Sequence, residues 1–206
     1  MFIIKKRKKT KTRIMFIEKK FKPLLPLTSK EIKNLLYFYC RSKRGYIGVM
    51  SEYRNSFGYG YEEIDDFVAF NEKEIIAVEI KISRSDFLAD FKKKKHDLLR
   101  EVINHRFYKK NKGLDYVPKG IYYHKFYFCV NEDLRDFAED YLNKNAKYAG
   151  LWVAVDNNIV AIKKPMLLKP KHYKDFCDYP LRDFIAKMGS ELSYLKGELN
   201  EARITK

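Results

Sequence analysis

The alternation of apolar and polar positions is clearest between residues 64 and 82. Asp66-Phe67-Val68-Ala69-Phe70 and Ile75-Ile76-Ala77-Val78-Glu79-Ile80-Lys81-Ile82 read as two strands, 64–70 and 75–82, joined by a polar turn. Side chains alternate faces along a strand, so Ile76, Val78, Ile80 and Ile82 point one way while Glu79 and Lys81 point the other. An earlier strand is predicted over 47–54, with Glu52 inside it, and a Gly/Tyr-rich turn (Gly58 to Tyr61) leads on from it. Helical periodicity takes over at both ends of this block. Thr28 and Glu31 have the spacing of a capping box, opening a helix with Ile32, Leu35, Leu36 and Tyr39 on one face. Ser83 or Ser85 caps a second helix whose stripe is Phe87, Leu88, Phe91, Leu98, Leu99 and Val102.

Residues 104–120, rich in Lys, Asn, Gly and Pro, read as an inserted loop. Further strands are predicted at 125–130, 150–155 and 159–162, with a helix at about 133–143 and a turn at Asp156-Asn157-Asn158. The order is α/β with a mixed central sheet flanked by helices. The last segment differs. Leu181, Ile185, Met188, Leu192, Leu195, Leu199 and Ala202 recur at spacings of four and three, a seam fitting either a helix docked on its own domain or a homodimer. The expected organisation is a basic arm over 1–27, a domain over 28–170 and an amphipathic C-terminal helix over 171–206.

Composition adds a partner class. The formal net charge of +16 favours a polyanion, and residues 1–22 hold ten Lys or Arg against a single acid. Lys92, Lys93, Lys94 and Lys95 form a second basic run, read as a nucleic-acid contact against the plainer reading of a solvated helix surface. Tyr59 and Tyr61 are candidates for base stacking or for packing on the sheet edge. Cys40, Cys129 and Cys177 lack metal-ligand spacing, which predicts free thiols, a reducing compartment and a cytoplasmic protein. No apolar run reaches the length of a membrane helix, so no membrane partner is expected.

Charges on a buried strand are costly unless they serve a purpose. Glu-x-Lys occurs three times, and only Glu79/Lys81 lies in an apolar strand beside another acid-bearing strand. Two carboxylates and a lysine converging across a hairpin suit metal-assisted phosphodiester hydrolysis. Asp66 and Glu79 would hold Mg²⁺ (or Mn²⁺) with the Ile80 carbonyl, and Lys81 would orient water or neutralise charge. Glu52 is a further candidate metal-shell acid, and Ser83, Arg84 and Asp86 stand where they could grip a phosphate or brace Lys81. His96 reads as structural more readily than as a participant in chemistry.

The stretch Val78-Glu79-Ile80-Lys81-Ile82-Ser83-Arg84-Ser85-Asp86-Phe87-Leu88-Ala89-Asp90 resembles the PD-(D/E)xK nuclease superfamily, and within it the MmcB-like group associated with DNA repair. His124 to Val130 and Ala149 to Ala154 fit the same pattern. The resemblance implies a restriction-endonuclease-like core, with catalytic Asp66, Glu79 and Lys81 acting on DNA (RNA being the alternative substrate). A binding module that does not cut is the alternative function. The segment between about 97 and 123 is long for the group, and Asp65 adds a second acid, expected to face away from Asp66.

Overall fold

A computed structural model of the chain describes residues 26–55, 63–109, 121–168 and 188–189. Residues 1–25 of the basic arm, Tyr59 and Tyr61, Cys177 and all of the C-terminal seam except Met188 lie outside these residues.

Helix α1 (Ser29–Phe38) starts at the expected capping box: Thr28 Oγ1 accepts from the Glu31 N–H, and Glu31 Oε2 accepts from the Thr28 N–H at 2.7 Å. Its last turn widens into a π-helical turn at Tyr39–Lys43, closed by the Arg44 N–H on the Tyr39 carbonyl at 3.0 Å. Gly45, at φ 69°, then reverses the chain. Strands β1 (Gly48–Asn55), β2 (Glu63–Phe70) and β3 (Ile75–Lys81) follow as an antiparallel meander.

The predicted second helix is two. Helix α2 (Arg84–Asp90) is capped by Ser83, which accepts from the Asp86 N–H at 3.2 Å. It tightens into turns in which the Phe91, Lys92 and Lys93 N–H groups bond three residues back. Helix α3 (Lys94–Lys109) restarts after these turns and runs through residues 104–109, which sequence assigns to a loop. Strand β4 (Lys125–Asn131), helix α4 (Arg135–Asn145), and strands β5 (Gly150–Val155) and β6 (Asn158–Lys163) complete the described fold. Asp156 and Asn157 both take positive φ (44° and 61°), as a two-residue hairpin between β5 and β6 requires.

The sheet has six strands in sequential order, with β3, β4 and β5 parallel and the outer pairings antiparallel. The molecule is therefore α/β with a mixed sheet flanked by helices, as the sequence predicts. Parallel crossovers through α2–α3 and through α4 place these helices on one face. There Phe87, Leu99, Val102, Ala138 and Leu142 pack on Val68, Ala77, Phe126, Phe128, Leu151 and Val153. Met188 also packs against this core, so the described part of the C-terminal seam contacts its own domain. Helix α1 covers the opposite face, where Ile32 and Leu36 meet Phe67, Ile76, Val78, Ile80 and Trp152. Cys40 and Cys129 are buried there as free thiols, and burial pushes the Cys40 thiol up to about 12.

Candidate active site

Strand β3 sets the chemistry. Its even-numbered residues enter the α1-side core, so Glu79 and Lys81 point beneath α2 and α3, and both are buried. Lys81 Nζ lies 2.8 Å from Glu79 Oε2, 3.0 Å from Asp90 Oδ1 and 3.9 Å from Asp66 Oδ2. The three residues predicted to act together are therefore gathered in one cluster. Asp66 is its most open acid, with a side chain 31% exposed, and its Oδ2 accepts from the Ile80 N–H at 2.8 Å. Ile80, expected to supply a carbonyl, thus enters the cluster through its N–H.

The lysine run is dismantled by the helix break. Lys92 and Lys94 are exposed. Lys93 is half-exposed and reaches back 2.6 Å to Asp90 Oδ1 and 3.6 Å to Glu79 Oε2. Lys95 is buried, with Nζ on Glu79 Oε1 and 3.6 Å from Asp65 Oδ1. The expectation that Lys95 belongs to a solvent-facing nucleic-acid contact is therefore wrong. Its position at the start of α3, directly after the turns that end α2, aims it at Glu79 between the helices and the sheet.

Asp65 departs from expectation for a related reason. The β1–β2 ladder passes from Ser51–Phe67 to Tyr53–Asp65 without a Glu52–Asp66 pair, and Glu52 sits at φ 52°. The alternation of faces switches there: Met50 and Tyr53, three residues apart, pack in the same core. Asp65, paired with Tyr53, is buried and accepts from the Tyr122 hydroxyl at 2.5 Å. It therefore joins the cluster through Lys95 instead of facing away from it. The same switch turns Glu52 outward, where its side chain is 70% exposed and pairs with Lys33 of α1 at 2.7 Å. Glu52 is not a metal-shell acid in this arrangement. Ser83 acts as a helix cap, and Arg84 lies over the Phe137 ring, 5.0 Å from its centroid, so neither braces Lys81.

Behind the cluster stand groups that sequence alone does not assemble. His96 Nε2 lies 2.7 Å from Asp90 Oδ2, and its Nδ1 lies 2.7 Å from the Tyr148 hydroxyl. Phe91, Phe126 and Phe128 surround the imidazole. The only prior signal for this arrangement is Asp90, which closes the Ser-Arg-x-Asp-Phe-Leu-Ala-Asp stretch.

The electrostatics separate the acids. Burial, and then the Glu79 carboxylate, push Asp66 up to about 6, against the Ile80 N–H and Lys81, which pull it down. Burial also works to raise Glu79, yet the ammonium groups of Lys95, Lys81 and Lys93 hold it below the usual carboxylate range. For Asp90, the His96 hydrogen bond and the lysines likewise overcome burial and lower it. Burial would lower Lys81 and Lys95, but the facing carboxylates raise both. Asp66, at the open end of the site, thus faces the repelling carboxylate of buried Glu79. Such a pair has the hard oxygen donors that suit a divalent cation. Among the described residues, however, no three His, Cys, Asp or Glu side chains are gathered as ligands, and lysines pair with both oxygens of Glu79.

The chain matches no family model and no curated protein sequence. Among solved structures it is similar to a protein of unknown function from Silicibacter pomeroyi, at 16% identity and a TM-score of 0.49, over 84% of this chain and 94% of that one. It is also similar to an XisH family protein from Nostoc punctiforme, at 20% identity and a TM-score of 0.35, over 65% and 99% of the two chains. An fdxN element excision controlling factor protein from Anabaena variabilis matches at 19% identity and a TM-score of 0.34, over 64% and 96%. No described helix is long and apolar enough to cross a membrane.

Proposed function

We propose that the chain is a divalent-metal-dependent nuclease that hydrolyses phosphodiester bonds, with DNA as the expected substrate and DNA repair, restriction or phage DNA processing as the setting. The observation that carries the reading is the convergence of Lys81 Nζ on Glu79 and Asp66, with Asp66 at the open end and raised by burial and then by its neighbour. Asp66 and Glu79 would hold Mg²⁺ or Mn²⁺; when bound, the ion supplies charge neutralisation at the phosphate and activates a water. Lys81 is fixed by Glu79 and Asp90, so it presents a positioned ammonium where negative charge develops on the phosphoryl oxygens. Half-exposed Lys93 offers a cation to the nucleic-acid backbone at the same opening, and Lys92 and Lys94, its neighbours in sequence, are exposed.

One observation favours a second reading, a nucleic-acid-binding module on the same fold that does not cut. Both Glu79 oxygens are already paired with lysines. A cleavage assay with Mg²⁺ or Mn²⁺ on plasmid, linear duplex, single-stranded DNA and RNA separates the two. The nuclease reading requires metal-dependent cleavage that is lost in Asp66→Asn and Lys81→Met. Binding of nucleic acid with no cleavage of any substrate replaces it with the second reading.

A further inference from the structure

Glu79 divides its cluster into two unlike halves. On the Oε2 side lie Lys81, Lys93 and Asp66, of which Lys93 is 42% and Asp66 31% exposed. On the Oε1 side lie Lys95 and, beyond it, Asp65, with side chains 8% and 4% exposed. One half opens to solvent and the other is sealed. Within the sealed half, Asp65 Oδ2 takes the Tyr122 hydroxyl at 2.5 Å while its Oδ1 faces the Lys95 ammonium. The same ammonium lies 5.5 Å from the centroid of the Phe126 ring.

An ammonium is costly to bury unless carboxylates surround it, and here two do. Its sequence neighbours Lys92 and Lys94 remain in water, so the run itself does not drive Lys95 inward. A lysine Nζ and a divalent cation compete for the same hard oxygens. We propose that Lys95 is a resident cation: its ammonium fills the inner position between Asp65 and Glu79 that a divalent ion would otherwise take. The cluster is thereby restricted to exchange of one ion, at the Asp66 end. The outer ion rests on the nuclease reading, whereas the inner position stands on the Lys95 geometry alone.

The test is Mn²⁺ uptake by the purified chain, followed by electron paramagnetic resonance, together with thermal melting with and without Mn²⁺. Lys95→Met, uncharged and of similar length, is expected to bind one more Mn²⁺ per chain than the parent. It should also melt lower without metal and recover when Mn²⁺ is added. The Asp65→Asn/Lys95→Met double variant should lose the extra ion and the metal-dependent recovery. An unchanged Mn²⁺ count in Lys95→Met overturns the proposal, and so does a failure of that variant to fold at any Mn²⁺ concentration. Retention of the extra ion by the double variant overturns it as well. A parent that binds none while Lys95→Met binds one removes the nuclease reading and leaves Lys95 as the resident cation.

Discussion

His96 donates its Nε2 hydrogen to Asp90 Oδ2 at 2.7 Å, because a carboxylate held well below its usual range has no proton to give. The same ring nitrogen assignment makes Nδ1 the acceptor for the Tyr148 hydroxyl. Burial lowers the imidazole, overriding the pull of Asp90 in the other direction. The folded ring therefore stays neutral at a pH where an unfolded one charges, and this group's contribution to stability falls as pH drops below about 6.5. Nitrogen-15 spectra should show a neutral ring protonated on Nε2 at neutral pH, titrating below the ordinary value of about 6.5. A ring that titrates at or above the ordinary value contradicts the assignment.

Asp66 works in the opposite sense. Its carboxyl is raised to about 6, so its charge is resisted in the folded chain, and the cost grows as pH rises from about 4 to about 6. Asp66→Asn should stabilise the metal-free protein at pH 7 by about 1 kcal/mol, a figure discounted for solvent screening at this partly open position. The gain should vanish below about pH 4, where the acid is neutral in both states. Metal-dependent cleavage by the parent should rise with pH through about 6. Denaturant melts at the two pH values and a pH–rate profile check these outcomes.

Glu79 is the wrong residue to truncate in a search for activity alone. It is 1% exposed and faces three ammonium groups, so Glu79→Ala leaves buried positive charge behind. The expected loss is about 3–5 kcal/mol of stability. Equilibrium unfolding equal to that of the parent would mean that the charges are hydrated in solution.

The helix break predicts a sharp division within the lysine run. Removing Lys92, Lys93 or Lys94 should weaken nucleic-acid binding and lower the slope of log affinity against log salt by about 0.9 for each phosphate contact on a duplex. Neutralising buried Lys95 should leave that slope unchanged. Equal effects at all four positions would place Lys95 in solvent.

Gly150 is fixed by its surroundings. A Cβ there would lie 2.5 Å from the Tyr127 ring and 3.0 Å from the Lys163 carbonyl oxygen. The ring has little room to retreat, because it stacks on Trp152 with centroids 4.2 Å apart. Gly150→Ala should cost about 1–3 kcal/mol in a denaturant titration.

The sheet was largely legible because β3 is a regular strand. Its alternation separates Ile76, Val78 and Ile80 from Glu79 and Lys81, as the two cores show. The capping box of α1 was legible for the same reason, since it depends only on local chemistry. Asp65 was not, because its orientation depends on a switch of faces at Glu52 and Asp66 that no Gly or Pro announces. Lys95 was not, because Phe91-Lys92-Lys93 contains no helix breaker and four consecutive lysines read as solvated surface. The partners of His96 lie fifty-two residues away at Tyr148 and six away at Asp90, and tertiary packing alone brings them together.

The placement of Lys95 also governs the order of assembly. Strand β3 supplies one counter-charge to Glu79 itself, Lys81 at Oε2, and the charge that meets Oε1 arrives sixteen residues later, on the first turn of α3. Burial of the Glu79 Oε1 atom and docking of α3 are therefore coupled. A chain cut between β3 and α3 retains every strand of its first meander and the Lys81 pair, but leaves Glu79 Oε1 without its ammonium.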